Sequence, residues 1–203
     1  MERMSSNTPR IIDRTTVYKG WNRLDIVTVE AADQSGGSHR LEREVIDHGD
    51  AGVVLAIDRE REVAIMVRQW RAPLIADGAD PFLLEACAGI IDPGEEPEDT
   101  ARREAEEEIG YKLGAMRKIA VVLPSAGTLT ERMHLFIADV AADQRIESGG
   151  GQAHEGEDIE VVEVPLAMLF ERARRGEIAD AKTLILVQQL MIDTLDAKFD
   201  GSA

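Results

Sequence analysis

Apolar and polar residues follow a short period in the first third of the chain. Residues 24–30 and 43–47 are rich in β-forming side chains and flank the turn-forming stretch 33–39, which predicts an antiparallel β ribbon over residues 21–48. Residues 52–57 and 62–70 are nearly continuous apolar runs, joined by polar residues, and are typical of a hairpin with at least one buried face.

The rest of the chain alternates strand-like and helix-like patterns. A further buried strand is predicted over residues 82–88. Later strands are predicted around 117–123, 132–140 and 158–164, and helices over 97–110, 166–175 and 181–195. Strands enclosed by helices indicate an α/β (α+β) domain arranged as an α/β/α layered sandwich with a mixed sheet.

The helix over residues 97–110 has clear ends and one apolar face. Pro97 suits a first helical turn, and Gly110 is typical of a helix C-terminus. Ala101, Ala105 and Ile109 are spaced four residues apart and form a stripe that can dock on a sheet.

The same helix carries three carboxylates on one face. Glu104, Glu107 and Glu108 stand at positions i, i+3 and i+4, where like charges repel. Arg103 lies four residues before Glu107 and can pair with it. Oxygen ligands of this kind suit hard divalent cations. The alternative is a solvated acidic helix face in an acidic protein.

Composition limits the partners and the compartment. Among 203 residues, 39 acids against 23 bases give a formal net charge of −16, which disfavours nucleic-acid binding. No run of apolar residues is long enough for a membrane span or a signal peptide. The single cysteine, Cys87, is flanked by apolar residues and is expected in the core. These features favour a reducing cytoplasm.

Seven residues in this region match a known motif. The order Gly-x5-Glu-x7-Arg-Glu-U-x-Glu-Glu-x-Gly-U, with U a bulky aliphatic residue, resembles the Nudix box. Ala105 and Tyr111 are mild departures at the two U positions. The resemblance extends over about residues 15–195. Within the family, the chain is similar to the branch of GDP-mannose and ADP-ribose pyrophosphatases, in segments such as 84–89, 124–131 and 180–183. The matching residues are Gly89, Glu95, Arg103, Glu104, Glu107, Glu108 and Gly110.

The resemblance implies a Nudix fold and a metal-dependent site. Mg²⁺ is the expected cofactor, with Mn²⁺ as an alternative. Glu95 and Arg103 would orient the ligating carboxylates, and Glu155 is a candidate general base, with an ordinary acidic loop as the alternative. Glu104, Glu108, Glu155 and Arg103 are therefore the expected catalytic residues. The implied metal ligands are the carbonyl of Ala88 and the side chains of Glu104, Glu107, Glu108 and Glu157. The alternative for Glu107 is a residue that supports the ligands, and the alternative for Glu157 is again an ordinary acidic loop.

The resemblance also implies a set of substrate contacts. Arginines would bind the diphosphate, and Trp21 would stack on the base from the other subunit of a swapped dimer. Edge packing is the alternative for Trp21, and surface charge alone is the alternative for Glu44, Glu131 and Lys182. The glycines at 149–151 are expected to let the acidic loop close over substrate. The implied contacts are Trp21, Arg43, Glu44, Arg71, Glu131 and Lys182.

Four segments follow from these expectations. Residues 1–17 are predicted as a flexible leader, and 18–48 as a β segment exchanged in a homodimer, because alone it would bury little. Residues 49–197 are predicted as the Nudix hydrolase domain, and 198–203 as a tail.

Three functions remain open on the sequence alone. The resemblance favours Mg²⁺-dependent hydrolysis of a nucleoside diphosphate sugar, with GDP-mannose cleaved to GMP and mannose 1-phosphate. The alternative is cleavage of ADP-ribose to AMP and ribose 5-phosphate. A nucleotide-sensing Nudix module without catalysis is a third reading, which would be expected to have lost the box carboxylates that are all present here.

Overall fold

The chain forms two compact units. The computed structural model describes residues 8–33, 37–152, 156 and 158–199. One unit comprises Met1–Gly49 with Leu123–Glu131, and the other comprises Asp50–Val122 with Arg132–Ala203. Within the described ranges, no helix is long and apolar enough to cross a membrane.

The first unit is built on a three-stranded antiparallel sheet. Its strands are β1 (Arg10–Lys19), β2 (Arg23–Ala32) and β3 (Ser38–Asp47), in that spatial order. The β2–β3 pairing runs without a register shift from Arg23 opposite Asp47 to Ala32 opposite Ser38. The predicted antiparallel ribbon is therefore present.

The first strand departs from the sequence-based expectation. Residues 10–17 were expected in a flexible leader, whereas β1 begins at Arg10 and pairs with β2. The β-branched residues Ile11, Ile12 and Val17 favour an extended backbone. Every residue of β1 is nevertheless exposed, so cross-strand hydrogen bonding rather than burial holds it. Residues 1–7 of the predicted leader lie outside the described residues.

The second unit contains a seven-stranded mixed sheet. The strands are β4 (Ala51–Asp58), β5 (Val63–Trp70), β6 (Phe82–Glu85), β7 (Cys87–Ile90), β8 (Met116–Val122), β9 (Met133–Asp139) and β10 (Glu160–Pro165). The spatial order is β10-β5-β4-β9-β8, with β6 beside β5 and β7 beside β4. Strands β4 and β9 are parallel, and all other neighbours are antiparallel.

Helices flank this sheet. The helices are α1 (Ala72–Asp77), α2 (Pro97–Glu104), α3 (Leu166–Arg174) and α4 (Ala181–Phe199). The sequence pattern predicted all of them except α1, a six-residue helix that begins beside Pro73. A π-helical turn, Ala105–Ile109, continues α2, and a short 3₁₀ turn spans Ala142–Gln144.

The central strand β4 separates two hydrophobic cores. All eight of its residues are buried. Val53 and Leu55 belong to the core that includes Leu186 of α4. Val54 belongs to the core on the opposite face, which includes Ala101 of α2. Successive side chains of a strand point to opposite faces, so one strand serves both layers. The predicted α/β/α sandwich is confirmed.

Candidate active site

The helix that carries the carboxylates docks by its apolar stripe. Ala101, Ala105 and Ile109 are fully buried, as their spacing predicted. The helix ends at Gly110, which adopts φ 74° and ψ 22° in the left-handed region. Its last five residues form a wide π turn, a feature frequent at functional sites. The turn carries Glu107 and Glu108, so the carboxylates do not follow the ideal α-helical spacing used for the prediction.

Arg103 is the centre of an ion-pair network around this helix. Its guanidinium bonds both oxygens of Glu95 at 3.2 Å, Glu104 at 2.7 Å and Glu107 at 3.1 Å, and it donates to the carbonyl of Ile90. The predicted pairing of Arg103 with Glu107 is confirmed. The hydrogen bond from Arg103 lowers the pKa of Glu95 below its ordinary range. One cation therefore orients three carboxylates.

Gly89 leaves the space in which the Glu104 carboxylate lies. A Cβ atom at Gly89 would stand 1.8 Å from Glu104 Oε1 and 2.0 Å from its Cδ. Glu104 is 8% exposed, so its side chain is confined to this space. The glycine at this position of the motif is thus required by side-chain contact.

Glu108 connects the helix to strand β7. Its side chain is 1% exposed, and its Oε2 accepts a hydrogen bond of 3.1 Å from the amide of Ala88. Burial lowers the pKa of Arg71, but the hydrogen bond and charge of Glu85 outweigh it and raise that pKa, and the charge of Glu108 acts in the same direction.

The glycine run at 149–151 binds to the end of the same helix. Gly149, Gly150 and Gly151 have φ values of 71°, 119° and 75°, which favour glycine. The amides of Gly150 and Gly151 donate to the carbonyls of Glu108 at 2.9 Å and Glu107 at 3.1 Å. These hydrogen bonds fix the glycine run on the helix, and closure of the acidic loop that follows it over substrate stays a prediction. Glu155 and Glu157 lie outside the described residues.

A second cluster of charges lies at the end of β6. Glu85 is 2% exposed and accepts hydrogen bonds from Arg71 Nε at 2.7 Å and Nη2 at 3.0 Å. Lys182 donates to the same carboxylate and, at 2.9 Å, to Asp180. Burial raises the pKa of Glu85, but the hydrogen bond from Arg71 and the charge of Lys182 outweigh it and lower that pKa. Lys182 is 6% exposed, which excludes a surface charge.

The remaining predicted contacts belong to the first unit. Trp21 is 81% exposed in the chain as described, so edge packing does not account for it. Arg43 and Glu44 are exposed on β3, and Arg43 bonds the carbonyl of Glu42. Glu131 is 7% exposed, which excludes a role as surface charge alone.

Comparison with known proteins identifies the family. The model of the NUDIX domain matches residues 47–186. This chain belongs to the Nudix family. The GDP-mannose pyrophosphatase of Cronobacter sakazakii is 38% identical over 190 residues, which covers 93% of this chain and 97% of that protein. Proteins of the same name from Salmonella arizonae and Klebsiella pneumoniae are each 38% identical over 193 residues, with 95% of this chain and 99% and 96% of theirs covered.

The donor chemistry of this Nudix box fits the divalent metal that Nudix pyrophosphatases generally need. Glu104, Glu107 and Glu108 offer carboxylate oxygens on consecutive turns, and Arg103 offsets part of their charge. Among the described residues, no three acidic, histidine or cysteine side chains are grouped as a complete metal site. The predicted ligand Glu157 lies outside those residues.

The sequence analysis missed three polar residues of this Nudix fold. Glu85, Asp180 and Thr183 were not singled out, although all three lie within the segments that carry the family resemblance. Thr183 accepts a 2.7 Å hydrogen bond from the amide of Ala86 and donates to Asp180. An aspartate directly before a predicted helix is a capping signal that could have found Asp180.

Proposed function

We propose that this Nudix hydrolase cleaves GDP-mannose to GMP and mannose 1-phosphate, with Mg²⁺ as its metal. The observation that carries the proposal is the identity of 38% to proteins named GDP-mannose pyrophosphatase over nearly their full length. All seven fixed residues of the Nudix box are present, which supports an enzyme rather than a sensing module.

The reaction adds water across a phosphoanhydride bond. The oxygen of water bonds to one phosphorus atom as the bond from that atom to the bridging oxygen breaks. The bridging oxygen leaves with the other phosphate, the protons of water pass to the base and the solvent, and the products are GMP and mannose 1-phosphate. When bound, a divalent ion neutralises phosphate charge and lowers the pKa of water. The residues that would hold it are the carbonyl of Ala88 and the side chains of Glu104, Glu107, Glu108 and Glu157.

Two other residues of the box orient the metal ligands, and a residue outside the box would move a proton. Arg103 holds Glu104 and Glu107 in place, and Glu95 fixes Arg103 in turn, through the contacts of 2.7–3.2 Å described above. Glu155 would accept the proton of the attacking water. A base must lie within hydrogen-bond reach of the proton it takes.

Cationic and aromatic groups would bind the nucleotide sugar. Arg71 keeps about two fifths of its side chain exposed, and it suits a phosphate because its guanidinium can donate two parallel hydrogen bonds. Lys182 uses two of its three N–H groups within the protein and retains one for the substrate. The remaining proposed contacts are Trp21, Arg43, Glu44 and Glu131.

We also propose a homodimer. The exposed apolar residues Ile11, Val17, Tyr18 and Trp21 are consistent with an interface around β1. Sedimentation equilibrium at micromolar protein should give about twice the chain mass of 22.3 kDa. A mass near 22.3 kDa would refute the dimer. The net charge of −16 supports small-molecule rather than nucleic-acid partners. Localisation in a reducing cytoplasm stays a prediction.

The decisive test is a substrate panel with Mg²⁺ and products resolved by anion exchange. It contains GDP-mannose, ADP-ribose, GDP-glucose, NADH and diadenosine polyphosphates. Glu108→Gln should abolish turnover, and Glu106→Gln on the same turn is the matched control that should preserve it. GMP and mannose 1-phosphate formed fastest would support the proposal.

Other outcomes would contradict it in distinct ways. Dominant formation of AMP and ribose 5-phosphate would refute GDP-mannose as the substrate while leaving the Nudix chemistry in place. If wild type turned over no substrate of the panel and was as inactive as Glu108→Gln, the enzymatic function would be refuted.

A further inference from the structure

Glu85 is a buried carboxylate that two cations share. It ends β6 with 2% of its surface exposed, and both of its oxygens accept hydrogen bonds. Arg71 donates to both oxygens and Lys182 donates to Oε2, so the carboxylate has the charge partners that a buried anion needs. Arg71 and Lys182 lie 14 and 97 residues away from Glu85 in the chain.

The geometry of Arg71 leaves one edge of its guanidinium available. Nε and Nη2 donate to the two oxygens of Glu85, a bidentate pair that fixes the plane of the guanidinium. Nη1 makes no hydrogen bond within the described part of the chain, and the side chain is 41% exposed. An arginine held in this way presents its remaining N–H groups in a set direction.

The backbone that carries Glu85 is fixed by a second set of contacts. The amide of Ala86, the next residue, donates to Thr183 Oγ1 at 2.7 Å, and Thr183 is fully buried. Asp180 accepts from the amide and hydroxyl of Thr183 and from Lys182. Contacts at the start of α4 thus fix the backbone next to Glu85 through Thr183 and orient Lys182, the partner of Glu85, through Asp180.

We infer that Glu85 is a positioning residue, which sets the Arg71 guanidinium so that its free edge meets an anionic oxygen of the nucleotide sugar. The inference rests on the proposed function. Glu85 itself is only 2% exposed, and both of its oxygens already accept hydrogen bonds from Arg71 and Lys182, so it is not placed among the substrate contacts. Its effect on the reaction passes through Arg71.

A double-mutant cycle tests this role. Glu85→Gln keeps the shape but loses the charge and one acceptor, and Arg71→Lys keeps the charge but loses the fork. Each should lower kcat/KM by about tenfold or more, mainly through KM. The double variant should fall no more than about twofold below the worse single variant, because both changes remove one interaction. Losses that multiply would overturn the inference.

Asp58→Asn is the matched control. Asp58 is also 2% exposed and bound to an arginine, with Arg61 Nε at 2.6 Å, and it ends strand β4 outside the proposed site. It should lower the melting temperature as Glu85→Gln does and leave kcat/KM unchanged. If both variants changed kcat/KM equally, the effect would come from stability and the role of Glu85 would be refuted.

A binding measurement separates this failure from that of the proposed function. GDP-mannose is titrated calorimetrically in the presence of EDTA, which removes hydrolysis. We expect its Kd to rise about tenfold in Glu85→Gln and to stay unchanged in Asp58→Asn. Equal Kd values in wild type and Glu85→Gln would overturn the inference alone. A wild type that neither binds nor cleaves GDP-mannose would refute the proposed function and the inference with it.

Discussion

Gly89→Ala should disable the site while preserving the fold. The added Cβ would lie 1.8 Å from Glu104 Oε1, 2.0 Å from Cδ and 2.5 Å from Cγ, and these three side-chain atoms are the nearest ones. Gly89 does not have a positive φ, so the backbone itself accepts alanine. The collision therefore falls on the flexible side chain of Glu104, which has to move.

The size of this movement can be worked from the contact. Oε1 must retreat by about 1.6 Å for its distance to grow from 1.8 Å to the 3.4 Å of ordinary contact. The retreat breaks the 2.7 Å hydrogen bond from Arg103 and displaces a proposed metal ligand. A misplacement of about 1 Å in an active site can cost about a hundredfold in rate. We expect kcat/KM to fall by about that factor.

The assay compares Gly89→Ala with Gly114→Ala. A Cβ at Gly114 meets only Gln144 Nε2, at 3.6 Å, so this control adds the same methyl group without a collision. Activity is measured at saturating Mg²⁺, and melting temperatures are measured alongside it. Activity of Gly89→Ala within about threefold of wild type would refute the steric reasoning. Loss of the folded state would refute the expectation that only the side chain of Glu104 moves.

Three further predictions concern the network and its support. Arg103→Lys should lower kcat/KM at least about tenfold, since lysine cannot hold several carboxylates at once. Arg102→Lys is the control and should leave kcat/KM unchanged in the same assay. Equal kcat/KM values in the two variants would contradict this prediction. Thr183→Val strips the amide of Ala86 of its acceptor and should lower the free energy of unfolding in urea by about 1–3 kcal/mol, with no change refuting the contact. The hydrogen bond from Arg103 lowers the pKa of Glu95 below its ordinary 4.5 in the folded chain, so the unfolded chain binds a proton first as the pH falls. The stability that this carboxylate contributes above pH 4.5 is therefore lost as the pH falls. Glu95→Gln should flatten the acid dependence of the urea midpoint, and an unchanged dependence would count against it.

Local patterns predicted the elements that local physics determines. The continuous apolar run in β4, Pro97 at the start of α2 and Gly110 at its end are each encoded within a few residues. The α1 helix has six residues and no buried side chain, so no periodicity marks it. The π turn at Ala105–Ile109 is wider than an α-helical turn because its hydrogen bonds run from i to i+5, and the apolar spacing in the sequence does not distinguish the two.

In the candidate site, too, the sequence predicted the residues that lie close together in the chain and not the contacts between distant segments. The box residues are close in sequence, and their motif identified the carboxylates and Arg103. The contact of Glu85 with Lys182 joins residues 97 positions apart, and only the packing of α4 on the sheet brings them together. Burial likewise could not be deduced for Lys182, whose residue type is almost always exposed.

The double burial of β4 has a consequence for amide hydrogen exchange. Both edges of the strand are hydrogen-bonded, to β9 on one side and to β5 and β7 on the other, and both of its faces are covered. Local fraying cannot expose its central amides to solvent. Val53, Val54 and Leu55 should therefore exchange only when the whole unit opens, and their exchange rates would report its global free energy of unfolding.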